Sequence, residues 1–454
     1  MRGRVKPGGR LPRTVSQERT DPSHVERDAA KASRAFHRQH PPAKDRRQSL
    51  AAFVGTFYES RLRIPPAGAT RDAIEALADP KSLAVEIAHD GQLPHLGIVR
   101  LVLKAHEIAD LDGNGVTLYL VGNHYSPDMR PDNIHFGMPL QGRAPDAVKH
   151  PPKLRIGKAN AHRPFRWLPA PTPAELARLR AQVEDFIKNN LGHERRERRR
   201  VADEAEARLA VRIREVFSTL DAAANAVDSL GDWLIRVQHD LFQRMLGPQA
   251  GRILFLPMAD LADVFRGELG AIARGSERVA TVKATVSTAQ EGAGEEPYQR
   301  RPEPSPFWMH CPACARRQRT DWEPGSPIEF RCSACGHAAR LQEPDLWRWL
   351  MPDIVAYEVG LFSVGIDAWV VGSHAPYHPV IRATNHELFG ADPPPTLFLT
   401  SVPTFRGLGD PPEGFRKTRL LRALLETEPA SLARALSVPW DDDPHIVSDL
   451  FVAT

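Results

Sequence analysis

The chain has 454 residues, 42% hydrophobic and 26% charged, an ordinary composition for a globular protein with length for two to four domains. Lys and Arg total 60 against 56 Asp and Glu, and the formal net charge of +4 excludes a uniformly cationic nucleic-acid binder. No apolar run approaches the roughly eighteen residues of a membrane span, and the opening MRGRVKPGGRLPR lacks the apolar centre of a secretory signal, so no membrane partner and a cytoplasmic location are expected.

Residues 1–46 are rich in Arg, Lys, Pro, Gly and Ser without aliphatic periodicity, which predicts a disordered basic arm able to touch RNA. From Arg47 the pattern becomes globular. SLAAFVGTFYESRL and TRDAIEALADP read as amphipathic helices, and KSLAVEIAHDG as a buried strand. GIVRLVLKAHEIADL has apolar residues at helical spacing, with Gly113 just beyond, and VTLYLVGNH is a continuous apolar strand of the kind buried on both faces. Strand, helix and strand in this spacing make a βαβ unit and imply a parallel sheet. A proline-rich basic connector over 151–171 closes this first core segment, 47–170.

Residues 171–247 read as a helical hairpin insertion of coiled-coil character, starting at TPAELARLRAQVEDFIKNN and carrying the basic run Arg195–Arg200. Its apolar faces suit either packing on the core or formation of a homodimer. GRILFLPMADL returns to strand and helix, and TVSTAQEGAGEEPYQRRPEPSP is expected as a linker, together spanning 248–300. A cysteine module occupies 301–341. The remainder, 342–454, supplies the helix LWRWLMPDIVAYEVGLFSVG, the strands IDAWVVGSH and TLFLTSVP, and the helices FRKTRLLRALLETEP and PASLARALSVP.

The four cysteines are Cys311, Cys314, Cys332 and Cys335, two Cys-x-x-Cys pairs with residues 315–331 between them. Thiolates at i and i+3 of a tight turn can face one ion, and two such pairs complete a tetrahedral zinc site of the ribbon type. Four thiolates leave no coordination position for water, so the expected zinc is structural. His310 and His337 flank the pairs. Arg316, Arg317, Arg319 and Arg331 give the ribbon a candidate nucleic-acid face.

Three predicted strands end in polar, glycine-bearing turns. These are Gly91-Gln92-Leu93-Pro94-His95-Leu96-Gly97, Gly122-Asn123-His124-Tyr125-Ser126-Pro127-Asp128, and Gly372-Ser373-His374-Ala375-Pro376-Tyr377. Carboxyl ends of parallel strands are where open α/β sheets bind ligands, and a helix starting there offers free N–H groups to phosphate.

At these residues the chain resembles a known family. GQLPHLGIVRLVLKAHEIADLDGNGVTLYLVGNHYSPDMRP, then PDIVAYEVGLFSVGIDAWVVGSH and HELFGADPPP, are similar to the core of class I aminoacyl-tRNA synthetases, closest to the class I lysyl enzyme with its cysteine knuckles. A looser likeness, in architecture only, is to the cysteine ligases of bacillithiol assembly. The resemblance implies an α/β fold with a Rossmann-like parallel sheet of nucleotidyltransferase type, interrupted by the helical hairpin and the zinc ribbon. It further implies that ATP, with Mg²⁺, activates an amino acid or related small carboxylate as an adenylate. On the matching positions Gly91, His95, Gly97, Gly372, Ser373 and His374 would hold the nucleotide, and Asn123, His124, Asp128 and Tyr377 the substrate. In FRGLGDPPEGFRKTR, Lys417 stands nearest to the family's phosphate-stabilising lysine, and with His95 forms the candidate catalytic pair. Ile98 replaces a polar signature residue, and the chain from Phe405 onward is shorter than a helical anticodon-binding domain. The expectation is therefore transfer to a small acceptor, not ordinary tRNA charging. The alternatives are a non-catalytic relative that binds RNA or protein, and a tRNA-charging enzyme without the standard anticodon domain.

Overall fold

The computed structural model describes residues 24–91, 93–111, 113–127, 152–197, 199–295, 297–298, 305–371, 377–398, 420–426 and 428–437. Its centre is a five-stranded sheet built from β1 (Ala84–Asp90), β2 (Val116–Gly122), β3 (Ile253–Pro257), β9 (Ala368–Val371) and β10 (Thr396–Phe398). Every pairing is parallel, in the order β10-β9-β1-β2-β3. Strand succession thus runs outward in both directions from β1. The continuous apolar runs that suggested two-sided burial are buried throughout in β2 and β3.

Between β1 and β2 lies α4 (Leu96–Asp110), so the expected βαβ unit is present. Successive strand residues face opposite sides of a sheet. Tyr119 packs on Phe242 of α7 (Leu230–Leu246), while Trp369 packs on His378 of α12 (Tyr377–Phe389). In register, Trp369 lines up with Glu86, and Glu86 with Leu118, the neighbour of Tyr119. Helices α7 and α12 therefore cover opposite faces. No described helix is long and apolar enough to cross a membrane.

The helical insertion consists of α5 (Pro173–Glu197), α6 (Arg199–Ala226) and α7. Thr172 and Glu175 cap α5 reciprocally: the Thr172 N–H donates to Glu175 Oε2 at 2.8 Å and the Glu175 N–H to Thr172 Oγ1 at 3.3 Å. The start of α5 and the end of α6 line one groove, which makes the pair antiparallel as expected. Among the described side chains its apolar faces pack inward, with Phe217 and Leu220 of α6 and Trp233 and Leu241 of α7 buried.

The basic arm is shorter than the sequence suggests. Residues 24–46 are not disordered: α1 (His24–Gln39) packs against α4, and α2 begins at Lys44 and runs to Thr56. The buried stripe of α1 is Ala29, Ala30 and Ser33, side chains too small to register as aliphatic periodicity but well suited to close helix contact. Residues 1–23 lie outside the described residues. Beyond α2, a π-turn over Phe57–Arg61 and α3 (Gly68–Ala78) complete the amino-terminal layer.

One carboxylate ties this layer to the amino edge of the sheet. Asp367 accepts from Arg47 Nη2 at 2.8 Å and from the Ala84 N–H at 2.7 Å, and His37 Nδ1 lies 2.8 Å away. Arg47 and Asp367 side chains are 0% and 1% exposed. Asp367→Ala strands a buried guanidinium, and equilibrium denaturation should show a loss of about 3 kcal/mol or more.

Two further expectations are corrected. The linker from Thr285 is helical to Gly292, because α10 (Ser276–Gly292) buries Lys283, Ser287 and Gln290, a polar stripe that hydropathy does not reveal. The long helix expected from Leu346 is instead a 3₁₀ turn (Asp345–Arg348), a strand β8 (Leu350–Pro352) and a short α11 (Ile354–Phe362). Pro352 holds its predecessor extended, and Asp353 caps α11 by accepting from the Ala356 N–H at 3.0 Å. Helices α8 (Met258–Leu261), α9 (Arg266–Arg274), α13 (Leu420–Glu426) and α14 (Pro429–Ser437) fill the remaining layers.

Candidate functional site

The cysteine module is two antiparallel hairpins, each turning through one Cys-x-x-Cys pair. Strands β4 (Phe307–His310) and β5 (Arg317–Arg319) flank the first, and β6 (Ile328–Arg331) and β7 (Ala338–Leu341) the second. Each knuckle closes the same way: Ala315 N–H donates to Cys311 O, and Gly336 N–H to Cys332 O. Ala315 and Gly336 both have positive φ, 60° and 74°. Gln318 joins the hairpins, donating to Arg331 O at 2.9 Å and accepting from the Ser333 N–H at 2.9 Å.

The four sulfurs lie within 4.8 Å of one another, with Cys311 to Cys335 and Cys314 to Cys332 both at 3.6 Å. A zinc–sulfur bond of about 2.3 Å puts tetrahedral ligands roughly 3.8 Å apart, so the donor set fits zinc, whereas a disulfide needs sulfurs about 2 Å apart. As free thiols Cys314 and Cys332 would differ. Burial pushes Cys314 up to about 12, whereas Cys332 comes down to about 7 because N–H groups of Cys335 and Ala334 outweigh its burial. Metal binding would hold all four as thiolates. His310 directs Nδ1 to Ala315 O at 3.1 Å and packs its ring on Trp167, so the thiolates remain the ligand set. Of the candidate nucleic-acid arginines, Arg316, Arg317 and Arg331 are exposed. Arg319 is committed inward, stacked on Trp308 at 3.9 Å and paired with Asp353 at 2.9 Å.

The turns after β1 and β2 lie at the carboxyl edge of the parallel sheet. Gly91 and Gly122 permit two close approaches there. A Cβ on Gly91 would sit 2.3 Å from Gly122 O, and one on Gly122 would meet the Tyr125 ring at 2.5 Å. His95 caps α4 in extended conformation, its ring 6.0 Å from that of His89, and Gly97 lies in the helix's first turn. His124 stacks on Tyr125 at 4.3 Å. Tyr377 opens α12 with its ring 4.6 Å from that of His378. Asn123 differs from expectation: fully buried, its Nδ2 donates to Asp260 and its Oδ1 accepts from the Ala259 N–H, so its amide braces β2 to α8. Asp128, Gly372, Ser373, His374 and Lys417 lie outside the described residues.

Sequence reasoning missed the charged cluster at this edge. Arg61 grips Asp232 with Nε and Nη2, at 3.2 and 2.7 Å, and reaches Asp260 with Nη1 at 2.9 Å. Arg166, from the connector, places Nη1 4.0 Å from the same Asp260 oxygen. Burial favours a neutral Asp260, but Arg61, Arg166 and Asn123 together hold its carboxyl below the usual range. Two more carboxyls, Glu86 of β1 and Glu358 of α11, are fully buried. Burial, joined by the neighbouring Glu358, raises Glu86 well above its ordinary value, and burial raises Glu358 to about 8. Both stand out in the sequence as lone charges in apolar runs, AVEIA and IVAYEVGLF. Two grooves, of about 360 Å³ between α5 and α6 and about 340 Å³ between α10 and α12, are lined by none of these strand-end residues.

No protein-family model matches the chain, and no curated protein matches it in sequence.

Proposed function

We propose that the carboxyl edge of the sheet is a nucleotide site of Rossmann-like, nucleotidyltransferase type, and that the protein is an ATP-dependent ligase activating an amino acid or related carboxylate. The observation that carries this reading is the strand order. Succession reverses between β1 and β9, and that switch point is where parallel sheets bind ligands. The turn leaving β1 there holds Gly91 and His95 and starts α4, whose amino end favours phosphate. A carboxylate oxygen would attack the α-phosphorus of ATP, forming an acyl adenylate and releasing pyrophosphate. An acceptor nucleophile would then take the acyl group and release AMP. Mg²⁺ would neutralise phosphate charge. The chain's own part is alignment by the strand-end turns and charge stabilisation by His95, with Lys417 as the candidate second cation. The ribbon zinc would be structural, holding the segment that leads into α11 and β9.

Pyrophosphate exchange with ATP, Mg²⁺ and pooled amino acids tests the reading. Exchange is expected with one pool, and His95→Ala should lower it at least about a hundredfold while zinc content and folding persist. Silence across all pools from folded, zinc-loaded protein would favour the second reading, a non-catalytic relative. The exposed Arg316, Arg317 and Arg331 on the ribbon support that reading, with RNA as partner.

A further inference from the structure

We propose that the outer face of the sheet β5-β4-β8 is a binding surface for single-stranded nucleic acid, with tryptophans that stack on bases and arginines that hold phosphates. Strand β4 alternates between a buried row and an outward one. Phe307 and Met309 sit in the core, 1% and 0% exposed, whereas Trp308 between them is half-buried. Register fixes what shares its face. Trp308 lies opposite Arg319 of β5 and Met351 of β8, and His310 opposite Arg317. The His310 N–H donates to Trp349 O at 2.9 Å, which sets Trp349 on the diagonal from Trp308, about 7–8 Å away. Trp167 of the connector packs on both His310 and Trp349, with ring centroids 5.3 and 4.9 Å apart. Its neighbour Arg166 fastens the connector there, Nη2 donating to the Arg348 carbonyl at 2.8 Å.

Cations flank these rings. Arg317 lies over Trp308 at 4.5 Å and Arg348 over Trp349 at 5.1 Å. Both are exposed, as is Arg316 beside Arg317, while Trp167 and Trp349 are half-buried. Stacking on an indole uses the flat face of a guanidinium, and phosphate binds at its N–H edge, so the two contacts are compatible. Arg319, over the Trp308 ring at 3.9 Å, is matched by Asp353 at 2.9 Å and adds no net charge. None of the register positions of this face, Trp308, His310, Arg317, Arg319, Trp349 and Met351, carries a carboxylate. That composition selects the partner. A small anion would use the arginines alone, and an apolar segment the rings alone. A single strand offers unpaired bases and phosphates together, whereas a duplex hides its base faces. The inference rests on the reading of the ribbon as a nucleic-acid face, which it narrows to the side away from Arg331, and is independent of adenylate formation.

The test is fluorescence anisotropy of labelled oligo(U), oligo(dT) and a duplex of equal length, titrated with full-length, zinc-loaded protein. Single strands should bind, more tightly as salt falls, and quench tryptophan emission, with the duplex at least about tenfold weaker. Replacing both arginines, Arg317→Gln with Arg348→Gln, should weaken binding at least about tenfold and flatten its salt dependence. Trp308→Ala should cost at least about tenfold, and Trp308→Phe, which keeps a ring, should recover most of it. Tighter binding of oligo(U) assigns the surface to RNA, and of oligo(dT) to DNA. Equal affinity for duplex and single strands, or unchanged affinity in the double arginine variant, overturns the surface. If Trp308→Ala fails to fold or to hold zinc, the arginine variant decides, because its altered side chains are exposed. Binding that survives in that variant but is lost in Arg331→Gln rejects this face alone and keeps the ribbon as a nucleic-acid contact. Silence from every oligonucleotide removes both.

Discussion

Purified protein is expected to carry one zinc per chain, and Cys311→Ser or Cys332→Ser to carry none, with the ribbon unfolding as a result. Structural zinc in small modules supplies on the order of 10 kcal/mol, more than the ribbon's own core can provide. That core is Phe307, Ile328, Phe330, Trp322 and Trp347, and its two-stranded half, β6 with β7, buries side chains on one face only. Metal analysis gives the stoichiometry, and limited proteolysis should open the chain within 311–341 when zinc is removed. The effect should reach the core. Arg319 of the ribbon and Lys283 of α10 both hold Asp353, at 2.9 and 2.6 Å, and Asp353 caps α11. Ribbon loss would leave Lys283 as the remaining cation on that carboxylate. A zinc-free variant with unchanged protease resistance across 311–341 would remove the metal from the account of the fold.

The ribbon was legible because its signal is local, with ligand type, spacing and turn all within one short stretch. The sheet was legible for a similar reason. Apolar strands β1 and β2 around α4 carry the parallel connection in their own periodicity. What escaped notice depends on distant partners. Helix α1 is bound by small side chains and by Asp367, which lies far along the chain. Helix α10 buries Lys283 because Asp353 meets it there. Asn123 has the composition of a substrate contact, yet its amide is spent on Asp260 and Ala259. Nothing in a single turn can announce such a partner. Glu86 and Glu358 are the intermediate case, anomalous within their own segments but interpretable only as a pair.

That pair gives the protein a pH dependence of definite sign. Glu358→Gln is expected to flatten the decline in stability that the wild type shows as pH rises. Both carboxyls titrate above their ordinary value of 4.5, Glu358 at about 8 and Glu86 well above that ordinary value. The folded chain therefore keeps protons that the unfolded chain has released. Below the ordinary carboxyl range both states are protonated and neither residue costs anything. From there to about pH 8 the unfolded state gains progressively, at about 1.4 kcal/mol per pH unit for Glu358 alone, so the full penalty is about 5 kcal/mol. Glutamine keeps the shape and cannot ionise. Denaturant unfolding of wild type and variant at pH 5 and pH 9 reads the contribution of the pair, because removing Glu358 also lowers Glu86 while the remaining titrating groups are common to both. The variant should be similar to wild type at pH 5 and clearly more stable at pH 9. If the two stabilities differ by the same amount at both pH values, the carboxyls ionise freely in the folded state. In that case Glu86 and Glu358 would be buried anions, and their raised titration would not shape stability between pH 5 and pH 9.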